Sequence, residues 1–440
     1  LTCFGVLTVV ASQTAQALQY WDYTLADGSP FVTLGVYDAG DSFDFDAFPV
    51  EDNPEDPDDN VSKWTLSGSE KSLIDESFVY LGRMIGDSVV STGTVAVVTE
   101  DSREGDAGAT SNVIEEGPYA GMTELAAEML YGAKRGGDGI TGLIIIGHTA
   151  APDGNWYDGP MHTLSENGEV GNLSATLAHE MFHALGLMST AVENKFGDSL
   201  SVWDKGLRDI DGKAPTAGMT IEDDLNGNSN TFNLYSDKTR ADLGLSESDA
   251  GVYYTSENVQ DVLQGATIYY HDQLHFEKPV GVNGLPVNGW EEGMAELSHI
   301  ELQNSLMSHQ YWRNWSTFME AELAVLQDLG FDIDRRDWFG YSVYNSGITL
   351  VNTNPFFARS EDGTGWIEGV ANDNPWGVGL HIYGRNNDIT QAADILTSGT
   401  YALGIRVDGT NNTLRIAPDV QVRSDGDYGY ALAVTYAKNH

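Results

Sequence analysis

The sequence predicts a mixed α+β or α/β domain, built from a twisted sheet, a histidine-bearing helix and a loop-rich lower half, followed by the start of a parallel β-helix. Three observations predict this class. Residues 63–189 alternate between helical periodicity and buried-strand runs. Residues 190–298 are rich in Gly, Asn, Asp and Ser and have few strong periods. From residue 379 onward, β-branched runs recur in imperfect repeats of about 25 residues.

The first 17 residues have the composition of the tail of a secretory signal peptide. The apolar run LTCFGVLTVVASQTAQA ends in a small-x-small triplet, Ala15 to Ala17. No later run approaches the ~20 apolar residues that a transmembrane helix needs. The only cysteine, Cys3, lies inside this leader. We therefore expect a secreted, extracellular chain without disulfides and without a free thiol.

Residues 18–62 read as an acidic linker or pro-segment, because residues 38–60 are acidic and proline-punctuated. A calcium site here is an alternative without support, since no loop has the ligand spacing that Ca²⁺ requires. The whole chain has 22 basic and 66 acidic residues, a formal net charge of −44. This charge argues against nucleic acid and anionic membranes as partners. Nothing in the sequence indicates an oligomeric state.

The upper part of the globular domain, residues 63–189, begins with helical spacing of apolar residues. Two strand-like runs, residues 94–99 and 140–147, flank a helical segment, which favours a mostly parallel sheet. The next helix has an apolar stripe that should face the sheet. The apolar positions of the two helices are Leu73, Ile74, Phe78, Leu81 and Ile85 in the first, and Leu173, Leu177, Met181 and Leu185 in the second.

That second helix contains the segment LAHEMFHALGLMST. His179 and His183 lie one turn apart, so both imidazoles can reach one ion at about 2.0–2.1 Å. Glu180 can act on a metal-bound water without binding the metal, and Gly186 lets the chain leave the helix sharply. The alternative is an ordinary helix with two surface histidines. The preceding strand and Gly186 favour the zinc site.

The third ligand is not settled by the residues alone. Ser189 stands where many such motifs have a third histidine. A second pair, His271 and His275 around Asp272, has the same spacing, but it follows a strand-like run and leads into a proline, so no helix would align the rings. The other candidates are His148, His162, His299, His309, His381 and His440.

Regular structure returns after the loop-rich insertion. In residues 316–336, Thr317 and Glu320 predict a capping box at the start of a helix, and Gly330 predicts its end.

Three segments carry a family resemblance: AHEMFHALGL, SHIELQNSLM and FMEAELAVLQDLGFDID. Together they resemble the leishmanolysin (gametolysin-like) branch of the metzincin proteases, and LPVNGWEEGMAELSHIE is similar to the segment before that family's third histidine. In that family an insertion separates the histidine helix from the third histidine. The resemblance covers residues 64–336. The chain departs from the family pattern in its lack of disulfides, and also in a longer insertion and a shorter step from His299 to Met307.

The resemblance implies a zinc endopeptidase acting on proteins or peptides. It makes His179, His183 and His299 the ligands of one catalytic Zn²⁺, Glu180 the general base that activates the zinc-bound water, and Met307 the Met-turn methionine. The protease domain would be residues 63–336, with an upper part, 63–189, and an insertion and lower part, 190–336.

His309 stands two residues after Met307. In astacin- and serralysin-type metzincins a tyrosine at that offset stabilises the oxyanion, so His309 is a candidate oxyanion stabiliser. The alternatives are a bystander beside the cleft or the true third ligand.

Residues 337–378 read as a connector and residues 379–440 as β-helical repeats. This end resembles bacterial surface and autotransporter-type proteins, so we expect a bacterial cell-surface location, with the repeats as a stalk outside the catalytic machinery and a chain that continues beyond residue 440. The alternative function is a non-catalytic adhesion or stalk module with a structural zinc site.

Overall fold

The computed structural model describes residues 19–24, 28–42, 61–101, 107–133, 139–147, 156, 172–246, 249–269, 280–291, 293–308 and 317–435. The predicted leader and the acidic run of residues 43–60 lie outside these residues. None of the described helices combines the length and the apolar composition that crossing a bilayer requires.

A five-stranded sheet organises the upper part. Its order is β1-β2-β3-β5-β4, with β2, β3 and β5 parallel and the edge strands β1 and β4 antiparallel to their neighbours. The predicted strands at 94–99 and 140–147 are confirmed as β3 and β5. The strands are β1 (Gln19–Thr24), β2 (Pro30–Val36), β3 (Gly93–Glu100), β4 (Ala107–Thr110) and β5 (Gly142–Gly147).

The first two strands correct the expectation of a linker over residues 18–62. Strands β1 and β2 form an antiparallel pair, and β2 lies beside β3 in register from Val32 with Gly93 to Val36 with Val97. Both strands have the β-branched and aromatic residues that suit a half-buried sheet. The expected linker therefore includes part of the central sheet.

The described residues of this part form three helices: α1 (Gly68–Ile85), α2 (Glu124–Tyr131) and α3 (Leu173–Ala184). A short 3-10 turn, Gly86–Ser88, follows α1. The predicted apolar stripes of α1 and α3 are buried, which confirms both helices. Because α3 packs against α1 and against β4 and β5, the histidine-bearing helix has a rigid support.

The lower part is made of short elements, and its apolar core is continuous with that of the upper part. Its helices are α4 (Val202–Gly206), α5 (Asp237–Leu243) and α6 (Glu257–Leu263). Its strands are β6 (Leu207–Arg208), β7 (Ile221–Asp223), β8 (Phe232–Leu234), β9 (Tyr253–Tyr254), β10 (Ile268–Tyr269), β11 (Gly281–Val282), β12 (Leu285–Pro286), β13 (Trp290–Glu291) and β14 (Met294–Ala295).

Packing and side-chain hydrogen bonds hold this part without disulfides. The rings of Trp203 and Tyr254 stack at 4.4 Å, and the Trp203 indole donates to Leu297 O at 2.8 Å. The buried Asp204 carboxylate accepts from the Ser189 hydroxyl at 2.7 Å and from the Thr190 hydroxyl at 2.6 Å. These bonds tie the start of the insertion to the turn that follows α3.

Two helices end the lower part: α7 (Glu320–Asp328) and α8 (Arg335–Trp338). The predicted capping box is corrected here, because the N-cap of α7 is Met319 and not Thr317. The carboxylate that reaches back is Glu322, which accepts from Met319 N at 2.7 Å. The predicted end of the helix at Gly330 is confirmed, since Gly330 follows the C-cap with a φ of 109°.

The C-terminal region forms parallel sheets, of order β15-β19-β22-β25, β16-β20-β23 and β21-β24, and one antiparallel hairpin, β17-β18. The strands are β15 (Phe339–Val343), β16 (Thr349–Asn352), β17 (Ala358–Arg359), β18 (Trp366–Ile367), β19 (Val378–Ile382), β20 (Asp388–Gln391), β21 (Ile395–Thr397), β22 (Leu403–Val407), β23 (Thr413–Ile416), β24 (Val422–Ser424) and β25 (Tyr430–Val434).

Parallel pairing begins earlier than the sequence repeats. Phe339 pairs with Val378, Val378 with Leu403 and Leu403 with Tyr430, so β15 and β16 of the expected connector belong to the same sheets as the repeats. Glycines at the corners allow close stacking. A Cβ on Gly409 would lie 2.0 Å from Gly384 O, so only glycine fits there.

Candidate metal centre

The two histidines of α3 face one point. His179 and His183 lie one helical turn apart, and their Nε2 atoms are 3.0 Å from each other. Both side chains are buried, with 8% and 7% of their surface exposed. The helix thus presents two imidazole nitrogens to the same small volume, as the motif predicted.

His299 brings a third nitrogen to the same point from a distant part of the chain. It follows the β13–β14 hairpin, and its Nε2 lies 3.1 Å from that of His183 and 3.2 Å from that of His179. Of the candidates for a third partner, His299 is the one that the described structure places with the α3 pair. His381 lies instead within the C-terminal sheets, and its Nε2 is 2.7 Å from Asp408 Oδ2.

The other ring nitrogen of each histidine has a hydrogen-bond acceptor. His179 Nδ1 lies 2.7 Å from Leu306 O, His183 Nδ1 lies 2.7 Å from Leu187 O, and His299 Nδ1 lies 2.9 Å from Glu296 Oε1. A carbonyl or carboxylate oxygen can only accept, so each Nδ1 carries the proton. In the neutral rings, each Nε2 then presents a lone pair.

Three lone pairs pointing at one another about 3 Å apart repel unless a cation lies among them. Nitrogens that bind one zinc tetrahedrally at 2.0–2.1 Å are about 3.3–3.4 Å apart. The Nε2 spacings of 3.0–3.2 Å are close to this value. Second partners that fix the tautomer are a regular property of metal-binding histidines. The buried group of His179, His183 and His299 could therefore hold a metal ion.

The turn after α3 explains why Gly186 belongs to the motif. The Gly186 amide donates to His183 O at 2.9 Å and the Leu187 amide donates to Phe182 O at 3.0 Å, the two bonds of a Schellman motif. Gly186 has a φ of 120°, which side-chain-bearing residues rarely adopt. This turn directs Leu187 O back to His183.

Ser189 is not part of the group. Its hydroxyl donates to Asp204, and its amide donates to the Ser298 hydroxyl at 3.0 Å. Ser298 precedes His299, so the position that lacks a histidine instead anchors the segment that supplies one.

Glu296 is a member of the site that the sequence analysis missed. One of its oxygens is next to His299 Nδ1, and the other accepts from Ser298 N at 2.9 Å. The signal was a carboxylate three residues before the histidine, a spacing too common to single out without the backbone geometry. Glu296 orients the His299 ring.

The segment after His299 forms a closed loop, residues 300–307, which we name the Met307 loop. The Ile300 amide donates to Met307 O at 3.0 Å, and the loop includes Asn304 with a φ of 60°. Met307 is fully buried, and its amide donates to Glu322 Oε1 at 2.8 Å. Burial raises the pKa of Glu322, although its backbone hydrogen bonds oppose the rise. Leu306 O, the partner of His179, projects from this loop.

Glu180 and His309 complete the set of predicted residues. Glu180 lies beside His179 on α3 and is buried, with 5% of its surface exposed. His309 lies outside the described residues, as do His148, His162, His271, His275 and His440.

Comparison of the chain with protein-family models, with curated proteins and with solved structures finds no match. The likeness to leishmanolysin-type metzincins therefore rests on the quoted motifs, and the geometry itself supports a three-histidine metal group in a mixed α/β chain.

Proposed function

We propose that this protein is a zinc endopeptidase of the leishmanolysin-like metzincin type. One observation carries the proposal: three Nε2 atoms converge within 3.2 Å, and two of them come from an H-E-x-x-H helix whose glutamate is Glu180. A group with this donor set suits zinc. Within the described residues, the group has three members. The glutamate of such a helix can act on a metal-bound water, which favours a catalytic site over a structural one.

Zinc held by these nitrogens would supply a Lewis acid that polarises a peptide carbonyl and lowers the pKa of water toward about 7. The Nδ1 atoms of His179, His183 and His299 bond to Leu306 O, Leu187 O and Glu296, so each ring would turn its Nε2 toward the metal. The Glu180 carboxylate takes the proton from the attacking water and delivers it to the nitrogen of the leaving amine. Met307 is the proposed Met-turn methionine, and His309 remains a candidate oxyanion donor.

Glu180→Gln tests this function. The variant should retain stoichiometric zinc and the melting temperature of the parent while it loses ~10²–10⁴ in peptidase rate, because only the proton acceptor is removed. Exposed Glu257 at the start of α6 offers the matched control, Glu257→Gln, which should keep full activity on an unfolded protein substrate. Unchanged turnover in zinc-loaded Glu180→Gln would contradict the proposal.

The C-terminal parallel sheets favour a location of this protein at a cell surface. We propose that they are coils of a parallel β-helix, since pairing partners recur at matching positions of successive strands. The leader-like residues 1–17 and the net charge of −44 support secretion to a bacterial surface. An adhesion module with a structural metal is the second candidate, favoured by these sheets. It predicts bound zinc and no proteolysis by the parent chain.

A further inference from the structure

Side chains of the C-terminal sheets meet the Met307 loop in a buried cluster. Arg406 of β22 is fully buried, and its Nη2 donates to Asn304 O at 2.8 Å while its Nη1 donates to the Thr317 hydroxyl at 3.0 Å. Its Nε donates to Asp408 at 2.9 Å, which balances its charge. One guanidinium thus joins the sheet, the loop and the segment before α7.

Two further contacts reach the same loop from neighbouring strands. The Asn304 side-chain amide donates to the Thr435 hydroxyl at 2.8 Å, and that hydroxyl donates to Asp408. The Gln303 amide donates to the Tyr383 hydroxyl at 3.1 Å. Consecutive loop residues are therefore held by three strands of one parallel sheet or by residues directly after them.

The loop transmits this support to the metal group. Asn304 is two residues from Leu306, whose carbonyl accepts from His179 Nδ1 at 2.7 Å. The loop is closed by the bond between Ile300 and Met307 and contains a left-handed residue at Asn304, so a shift at Asn304 displaces Leu306 O. If the Leu306 carbonyl moves away, it no longer fixes the tautomer and the orientation of the His179 ring.

We infer that the C-terminal sheets position the histidine group, and that Arg406, Thr435 and Tyr383 are positioning residues acting through the Met307 loop. The inference rests on the proposed metal function. It departs from the expectation that the repeats are a stalk outside the catalytic machinery.

The test uses the full chain and near-isosteric changes, because removal of Arg406 would leave Asp408 buried and unbalanced. The test variant is Thr435→Val with Tyr383→Phe, which deletes both hydroxyls that meet the loop. The control is Thr397→Val with Tyr341→Phe, in the same sheets. Buried Thr397 Oγ1 has no hydrogen-bond partner in the described structure, and Tyr341 OH bonds Gln264, away from the loop.

Zinc affinity is measured by competition with a chelator, and the melting temperature of the metal-free proteins is measured beside it. The test variant should bind zinc about tenfold more weakly than the control, the lower end of the 10–100-fold loss typical of residues that support metal ligands. A merely structural role would lower the melting temperature of the test variant and leave the two zinc affinities equal, which would overturn the inference.

Hydrogen–deuterium exchange separates this inference from the proposed function. The Met307 loop should exchange faster in the test variant than in the control, whether or not metal is present. A parent chain that binds no zinc would refute the proposed function, and equal exchange in the two variants would refute the inference.

Discussion

The histidines of α3 are oriented in two different ways, one by a local contact and the other by a distant one. Helix α3 and its terminal turn contain the acceptor of His183 Nδ1: this acceptor, Leu187 O, is four residues away, and Gly186 makes the turn. His179 depends instead on Leu306 O, 127 residues away, in a loop that is itself held by α7 and the C-terminal sheets. The orientation of His183 therefore depends on the local sequence, whereas that of His179 depends on the whole fold.

The largest effect should come from removing the distant ligand. His299→Ala deletes one of three nitrogens, and tight zinc binding should be lost because two histidines on one helix do not enclose the ion. Zinc content after dialysis measures the result. His309→Ala and His275→Ala are the rival variants, and both should keep stoichiometric zinc. If either loses zinc while His299→Ala retains it, the distant half of the site is assigned to the wrong histidine.

A smaller effect should follow from removing the partner of that ligand. Glu296→Ala deletes the acceptor of His299 Nδ1, so zinc affinity should fall ~10–100-fold without loss of stoichiometry at saturating metal. Glu296→Gln keeps a side-chain oxygen, so its zinc affinity should lie between that of Glu296→Ala and that of the parent. Glu361→Ala, at an exposed turn, is the control and should bind zinc like the parent. Equal affinity for Glu296→Ala and the parent would show that the His299 ring is oriented by other contacts.

These two halves also mark how far the sequence could predict the structure. The spacing of His179, Glu180, His183 and Gly186 predicts a helix, a turn and two converging nitrogens, because all the required geometry is local. His299 was reached through a family resemblance and not through the physics of the residues. Glu296 and Glu322 were missed because their partners are set by backbone positions that no periodicity describes.

The fold shows the same division. Strands β3 and β5 and helix α1 follow from periodicity, whereas β1 and β2 were hidden beside the strongly acidic run of residues 38–60. In the C-terminal region, the repeats at 379–426 predicted parallel pairing. The strands from Phe339 onward were missed because the β17–β18 hairpin lengthens the first step and removes the period.

Gly186→Ala probes the local half. Its Cβ would make only ordinary contacts with Leu329, at 3.6 Å, so the cost comes from the backbone at a φ of 120° and should be about 1–2 kcal/mol in the free energy of unfolding. Gly68→Ala is the matched control: Gly68 begins α1 in open space and should gain up to about 1 kcal/mol. Denaturant unfolding of the metal-free proteins measures both. A neutral Gly186→Ala would mean that the turn is not held by its conformation.

The smallest effect tests whether the C-terminal region matters to the site only through its contacts with the Met307 loop. Asp337 lies in α8, directly before the C-terminal sheets, and burial, with the nearby charge of Asp334, raises its pKa to about 6. The folded state therefore binds the Asp337 proton more tightly than the unfolded chain, whose aspartate pKa is about 3.9, so stability falls as pH rises from about 4 to about 6. Asp337→Asn should raise the melting temperature at pH 7.5, by the equivalent of less than about 1 kcal/mol after solvent screening, and the gain should vanish near pH 4.

Asp362 gives the opposite sign: hydrogen bonds from Ser360 and Thr364 lower its pKa to about 2. Its Asn variant should be less stable than the parent at pH 7.5, with the difference fading as pH falls toward 2. Neither residue bonds the loop, so both variants should bind zinc with parental affinity, and a loss in either would mean that the site senses the stability of this region and not its specific contacts.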